Sequence, residues 1–244
     1  MSKIFRRKGL ALLSGILCLL ATGIIVTVLI NDPHKPETRP WSAWVQANFT
    51  RTIQVNGVNQ VLAKTGWVYF GLFKGYKEKS YSGNYQGLRT EYFEVFKEFD
   101  NVFNLKILYA VIGCLVVGGI VLILSAGLSF YNEFTKSSYV ILGSVGLYIF
   151  NGVAFFFMLC AVGLFSGLYH QQIKKNVLKS SEIDEGFNSE DNASLKFSFW
   201  ILVGACFLPL INMLLTFLNS ARAKSYFNKT TTIPTSNVDG MMLY

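Results

Sequence analysis

Charge and cysteine are scarce where a soluble or secreted domain would carry them. Only 15% of the 244 residues are charged and 52% are hydrophobic, too little polar surface for an ordinary domain in water. The four cysteines, Cys18, Cys114, Cys160 and Cys206, all lie inside long apolar runs. The polar loops therefore have no disulfide framework, and no CxxC or paired-histidine spacing points to zinc. His34 and His170 stand far apart, no HExxH or GxSxG occurs, and the acidic cluster from Glu182 to Asp191 lacks the ligand spacing of a calcium loop and reads as a solvated segment. The cores of the apolar runs hold no Asp, Glu, Lys, Arg or His, which disfavours an ion or substrate path through the membrane. These absences predict a protein that is not an enzyme and takes no cofactor or metal. The formal charge of +8 accompanies no nucleic-acid module, so nucleic acid is not an expected partner.

What is present is membrane-spanning length. Crossing the hydrocarbon takes about 20 apolar residues per helix, and four runs reach it: 10–30, 107–130, 139–168 and 197–218. Small residues at 21–23 resemble a signal-peptide cleavage site, but the apolar sequence continues to Ile30 and reads as a span. Basic residues precede the first run (Lys3, Arg6, Arg7, Lys8) and follow the fourth (Arg222, Lys224, Lys229), so segments 1–9 and 219–244 are expected in the cytoplasm. Residues 31–106 and 169–196 are expected as extracellular loops, and 131–138 as a short cytoplasmic turn. Over 31–104 there are nine basic and seven acidic residues, and over 169–196 four and five, so neither loop is strongly retained inside. The fold class is a membrane all-α four-helix bundle with a small extracellular antiparallel β-sheet.

The sheet is read from Trp67-Val-Tyr-Phe-Gly-Leu-Phe73, whose aromatic and β-branched content suits a strand, and from Asn56-Gly57, a hairpin turn signal between Ile53/Val55 and Val58/Val61. Period-two alternation is expected to pack Trp67, Tyr69 and Phe73 on one face. Trp41 and Trp44 follow a proline-rich exit from the first span and suit either the headgroup level or the sheet. Residues 77–89 read as an exposed loop. Phe93, Phe96, Phe99 and Phe103, with charges between, spell an amphipathic helix.

Within the spans, Asn151 and Asn212 are expected to hydrogen-bond between helices. Gly163 and Gly167 form a GxxxG pair suited to packing inside the bundle or to dimerisation, and Ala11 and Gly15 a second small-residue pair. Pro209 is expected to kink the fourth span. Asn48-Phe49-Thr50 and Asn192-Ala193-Ser194 are glycosylation sequons in the two outer loops, whereas Asn228-Lys229-Thr230 falls on the inner side.

Several motifs resemble the claudin-like superfamily and, more closely, the clarin family. They are Trp41 or Trp44 followed by Gly71-Leu72-Phe73; Tyr69-Phe70-Gly71-Leu72-Phe73-Lys74-Gly75; Gly127-Leu-Ser-Phe-Tyr-Asn132; Leu142-Gly-Ser-Val-Gly-Leu-Tyr148 with Asn151-Gly152; and Phe197-Ser-Phe-Trp200. The ending Asp239-Gly-Met-Met-Leu-Tyr244 is also similar to a clarin tail, and the whole looks nearest to the third paralogue. The paired cysteines of claudins and the Cys-Cys-Gly of tetraspanins are missing. The resemblance implies a multi-pass plasma-membrane protein concerned with sensory hair cells, adhesion and membrane organisation. The alternative is an auxiliary subunit of an ion channel. Expected partners are the lipid bilayer, membrane or cytoskeletal scaffold proteins and a second copy of the chain. The C-terminus fits a PDZ groove through Met242 and Tyr244.

Overall fold

A computed structural model describes residues 2–30, 42–55, 58–80, 88–134, 144–184 and 186–231. In chain order the elements are α1 (Ser2–Ile30), β1 (Val45–Val55), β2 (Val58–Phe70), β3 (Lys74–Ser80), β4 (Leu88–Glu94), α2 (Val95–Glu98), α3 (Leu105–Phe134), α4 (Ser144–Leu168), α5 (Ser180–Asp184), β5 (Phe187–Asn188), β6 (Ala193–Leu195) and α6 (Phe197–Thr231). A π-helical turn, Tyr169–Ile173, extends α4.

Helices α1, α3, α4 and α6 each contain a stretch long and apolar enough to cross a membrane: Leu12–Ile30, Leu105–Asn132, Val145–Ile173 and Phe197–Leu218. In α1 the buried positions include Ser14, Cys18, Ala21, Ile25 and Val28; in α4 they include Leu147, Asn151, Ala154, Met158, Ala161, Phe165 and Leu168. That spacing of three and four is one helical stripe. The opposite faces expose Leu19, Ile123, Phe156 and Leu214, as lipid contact requires, since hydrocarbon is as apolar as these side chains. α1 lies beside α3 and α6, and α4 also lies beside both, so the four helices close a ring. α6 continues past Leu218 to Thr231, so the segment expected as a tail from 219 begins as helix. Likewise α3 runs to Phe134, into the expected turn.

A sheet caps one end of the ring. Its order is β4-β3-β2-β1-β5, with β6 also on β1. β1 and β2 pair antiparallel from Val45↔Phe70 to Val55↔Val58, flanking the Asn56-Gly57 signal, which lies outside the described residues. Two sequence expectations need correction. The expected loop over 77–89 supplies most of β3 and the start of β4, paired from Lys74↔Glu94 to Ser80↔Leu88. The amphipathic helix over 91–103 shrinks to the four residues of α2, because β3 claims the backbone of 88–94 first. Its phenylalanines still pack inward: Phe99 lies 5.1 Å from Phe70 and 5.3 Å from Phe93, and Phe103 4.9 Å from Phe99.

Aromatic rings cover two strand glycines. A Cβ on Gly66 would meet the Phe49 ring and come within 2.5 Å of the Glu78 carbonyl; one on Gly75 would come within 2.5 Å of Phe93 and 2.6 Å of the Tyr69 carbonyl. Backbone oxygens cannot move aside as a side-chain tip can, so these positions admit glycine alone. We expect Gly66→Val to unfold the sheet and keep the protein from the cell surface, whereas Gly113→Ala, with nothing within 4 Å, leaves delivery unchanged. Surface biotinylation checks both.

Candidate functional site: the capping sheet and its anchors

Trp44 is where sheet and bundle meet. Its ring is fully buried, 4.6 Å from Phe165 of α4 and 6.3 Å from Phe199 of α6. Its indole N–H donates to the Val28 carbonyl at 3.3 Å, in the last turn of α1, where carbonyls lack helical partners. Its backbone N–H donates to Phe70 and its carbonyl accepts from Lys196, both at 2.9 Å. Trp44 is thus a core residue joining three spans to the sheet, and the headgroup-level alternative is set aside. Trp41 lies outside the described residues.

Trp67 and Tyr69 share one face of β2, and Phe73 lies beyond that strand, packed against the core. Val68 and Phe70 face the bundle core, while Trp67 and Tyr69 are half-buried on the face turned away. Tyr69 stacks on Tyr76 with ring centroids 4.9 Å apart, and Tyr92 lies 6.3 Å beyond. Gly71, Leu72 and Phe73 make the turn into β3. There Gly71 N–H bonds Lys74 O at 2.9 Å, Leu72 is buried, and the Phe73 carbonyl accepts from Val95 at 2.8 Å. Burial raises the Tyr69, Tyr76 and Glu78 pKa values, with the charge of Glu78 adding to both tyrosines.

An ion-pair clasp, which the sequence did not announce, lies on the core side. Lys77, its side chain 3% exposed, places Nζ 2.7 Å from Glu98 Oε1 and 2.9 Å from Glu182 Oε2. Lys79 reaches Glu182 Oε1 at 2.9 Å and Lys179 reaches Glu98 Oε2 at 2.7 Å. The clasp joins β3 and α2 of the first loop to α5 of the second. Glu182 therefore does not belong to a solvated acidic loop. The only trace in the sequence was Lys77-x-Lys79, two like charges on one strand face that call for distant carboxylates. Burial pushes the Glu98 and Glu182 carboxyls up, but the lysines outweigh it and hold both below the usual carboxylate range.

A second polar knot sits inside the bundle. Asn151 donates to Ser125 Oγ and to Leu147 O, each at 2.8 Å; Asn212 donates to Asn151 Oδ1 at 2.9 Å and to Cys18 Sγ at 3.0 Å. Each of the four spans contributes one residue to it. Each residue lies six or seven positions from the end of its span farther from the sheet, Leu12, Asn132, Val145 or Leu218, so the knot is about 10 Å deep. Each such bond is worth roughly 0.6 kcal/mol. Gly163 and Gly167 are not part of the packing inside this bundle, since a Cβ at either meets nothing within 4 Å. Gly15 instead packs on the Phe130 ring. Asn48 and Asn192 are both exposed, and the Asn48 N–H donates to the Asn192 carbonyl at 3.1 Å. Met242 and Tyr244 lie outside the described residues. Among the described residues no group of three or more His, Cys, Asp and Glu side chains could hold a metal ion.

The clasp predicts a specific acid response. Because both folded pKa values are depressed, its stabilisation is complete above the ordinary glutamate value of about 4.3 and is lost as pH falls through the lower folded values. Removing one member of a buried pair costs up to about 3–5 kcal/mol, and the remaining lysines soften that. We expect Lys77→Met to lower the thermal unfolding midpoint at pH 7 and to flatten its acid dependence, while Lys97→Met, in the exposed pair with Glu94, changes neither. Unfolding of purified protein in detergent from pH 7 to 3 measures this.

No protein-family model matches the chain. It is similar to Clarin-3 of Mus musculus, 24% identical over 217 residues covering 88% of this chain and 89% of that one. It is also similar to Clarin-3 of Rattus norvegicus, 25% identical over 199 residues covering 81% and 80%. With four spans, a capping antiparallel sheet and the motifs around Gly71-Leu72-Phe73 in place, that whole-length similarity supports membership of the clarin family, and the fold is consistent with the claudin-like kind.

Proposed function

We propose that this protein is a non-enzymatic organiser of plasma-membrane or cell-contact assemblies, with both termini in the cytoplasm and the capping sheet outside the cell. The clarin resemblance extends the proposal to sensory cells. The observation that carries it is the rigid mounting of the sheet. Trp44 fastens it to three spans, the clasp fastens the second loop to it, and the face turned away presents Gln46, Trp67, Tyr69 and Tyr92. A platform held this firmly loses little freedom when a partner docks, so less binding energy goes into ordering it. β4 ends the sheet with one edge unpaired among the described residues, beside an open hollow of about 550 Å³ lined by Lys74, Tyr92, Glu94 and Lys97. Such an edge suits strand-on-strand contact with a partner or a second copy. The orientation rests on the basic residues of α1 and α6 that lie beyond the sheet-distal ends of their spans.

Proximity labelling in native tissue, followed by co-purification, tests the organiser role. Adhesion or cytoskeletal proteins as the main partners support it, and a channel pore subunit recovered in stoichiometric amount overturns it in favour of the auxiliary-subunit reading. Inside the cell, the sequence Met241-Met-Leu-Tyr244 fits PDZ capture, with its carboxylate held by backbone amides and Met242 and Tyr244 filling pockets. Adding one residue after Tyr244 moves the carboxylate and leaves the side chains in place. We expect recovery of PDZ scaffolds in pull-downs to fall at least tenfold, and equal recovery from both forms rules capture out.

A further inference from the structure

The register of the sheet brings one sequon beside Trp67 on the face turned from the bundle. On the face turned from the bundle, Asn48 of β1 stands directly opposite Trp67 of β2, and the next row runs Gln46, Tyr69, Tyr76, Tyr92. Residues so opposed hold their Cβ atoms about 4.5–5.5 Å apart. The Asn48 side chain is already set for attachment. Gln46 Nε2 donates to Asn48 Oδ1 at 3.2 Å, which fixes the amide, while Nδ2, the atom that carries an N-linked sugar, has no hydrogen-bond partner among the described residues. Thr50, the third sequon residue, is exposed on the same face. Trp67 is half-buried, so part of its indole remains uncovered. A pyranose ring has one face lined with C–H bonds, and these electropositive hydrogens pack well on the electron-rich face of an indole.

We propose that the first N-acetylglucosamine of a glycan on Asn48 packs on the Trp67 ring, so that the sugar is a structural part of the sheet's aromatic face. This rests on the reading that the sheet lies outside the cell. The second sequon does not serve in its place. Asn192 neighbours Asn48 on the side away from Trp67, and two strand spacings put it about 10 Å from that residue.

The test uses full-length protein made in mammalian cells with high-mannose glycans and purified in detergent. It compares three forms: untreated, trimmed by endoglycosidase H to a single sugar, and stripped by peptide N-glycosidase. The trimmed form is expected to melt with the untreated one, and the stripped form several degrees lower. Thr50→Ala, which removes the sequon but keeps Asn48 and Trp67, should melt like the stripped form. Trp67→Ala should show no difference among the three treatments, and Asn192→Gln should behave as wild type. Melting unaffected by stripping in a protein whose Asn48 carries sugar overturns the packing and leaves the topology standing. A Trp67→Ala protein that still responds to stripping also overturns it. If Asn192→Gln protein shows no mobility shift on stripping, Asn48 carries no sugar and the proposal falls, whereas a shift that survives loss of both outer sequons and disappears with Asn228→Gln overturns the outside placement of the sheet.

Discussion

The fold depends on satisfying one tryptophan. An indole N–H taken out of water without a partner costs on the order of 1–3 kcal/mol, and Trp44 finds its acceptor only at the C-terminal turn of α1. That requirement fixes the depth at which β1 leaves the bundle. The ring fills the space between Phe165 and Phe199, while the backbone on either side is held by Phe70 and Lys196. From there the register of β1 and β2 sets which aromatic side chains face the core and which face away.

The sheet and the bundle are held by different physics. In the bundle, small residues such as Ala154, Ala161 and Ala205 let helices approach, and a few interhelical hydrogen bonds add modest increments. In the sheet layer, close-packed rings are joined by buried charges. Lys77 is desolvated as a pair of carboxylates closes on it, an arrangement that adds little stability over a well-packed apolar group but is costly to break. The clasp therefore specifies which loop segments meet more than it strengthens their meeting.

The spans were legible because the bilayer imposes a length and an apolar composition that nothing else in the chain meets. β2 was legible from its aromatic and β-branched content. β3 was not, since Lys74-Gly-Tyr-Lys-Glu-Lys-Ser80 has the composition of a solvated loop, and what buries Lys77 is a carboxylate 105 positions away. Phe93 to Phe103 carried a helical period, yet pairing with β3 overrode it. Alternation in β2 showed that Trp67 and Tyr69 share a face, but not which face, because both faces of this strand are rich in large side chains. That Asn151 and Asn212 would hydrogen-bond between helices was expected from their depth, but not that they would bond each other, and Cys18 and Ser125, apolar filler and small residue by composition, gave no sign of joining them.

The strands of the sheet are made at widely separated times. β1 gains β2 at once, but its other edge is closed by β5 and β6, which follow more than a hundred residues later and after two further spans. At ribosomal speeds of about 5–20 residues per second, that edge stays open for roughly seven to twenty-six seconds. During that interval the newborn chain displays an unpaired strand, the kind of surface that chaperones hold and that neighbouring chains can join. Maturation of the sheet is therefore set by the arrival of β5 and β6, and a chain cut short before β5 would leave this edge permanently open.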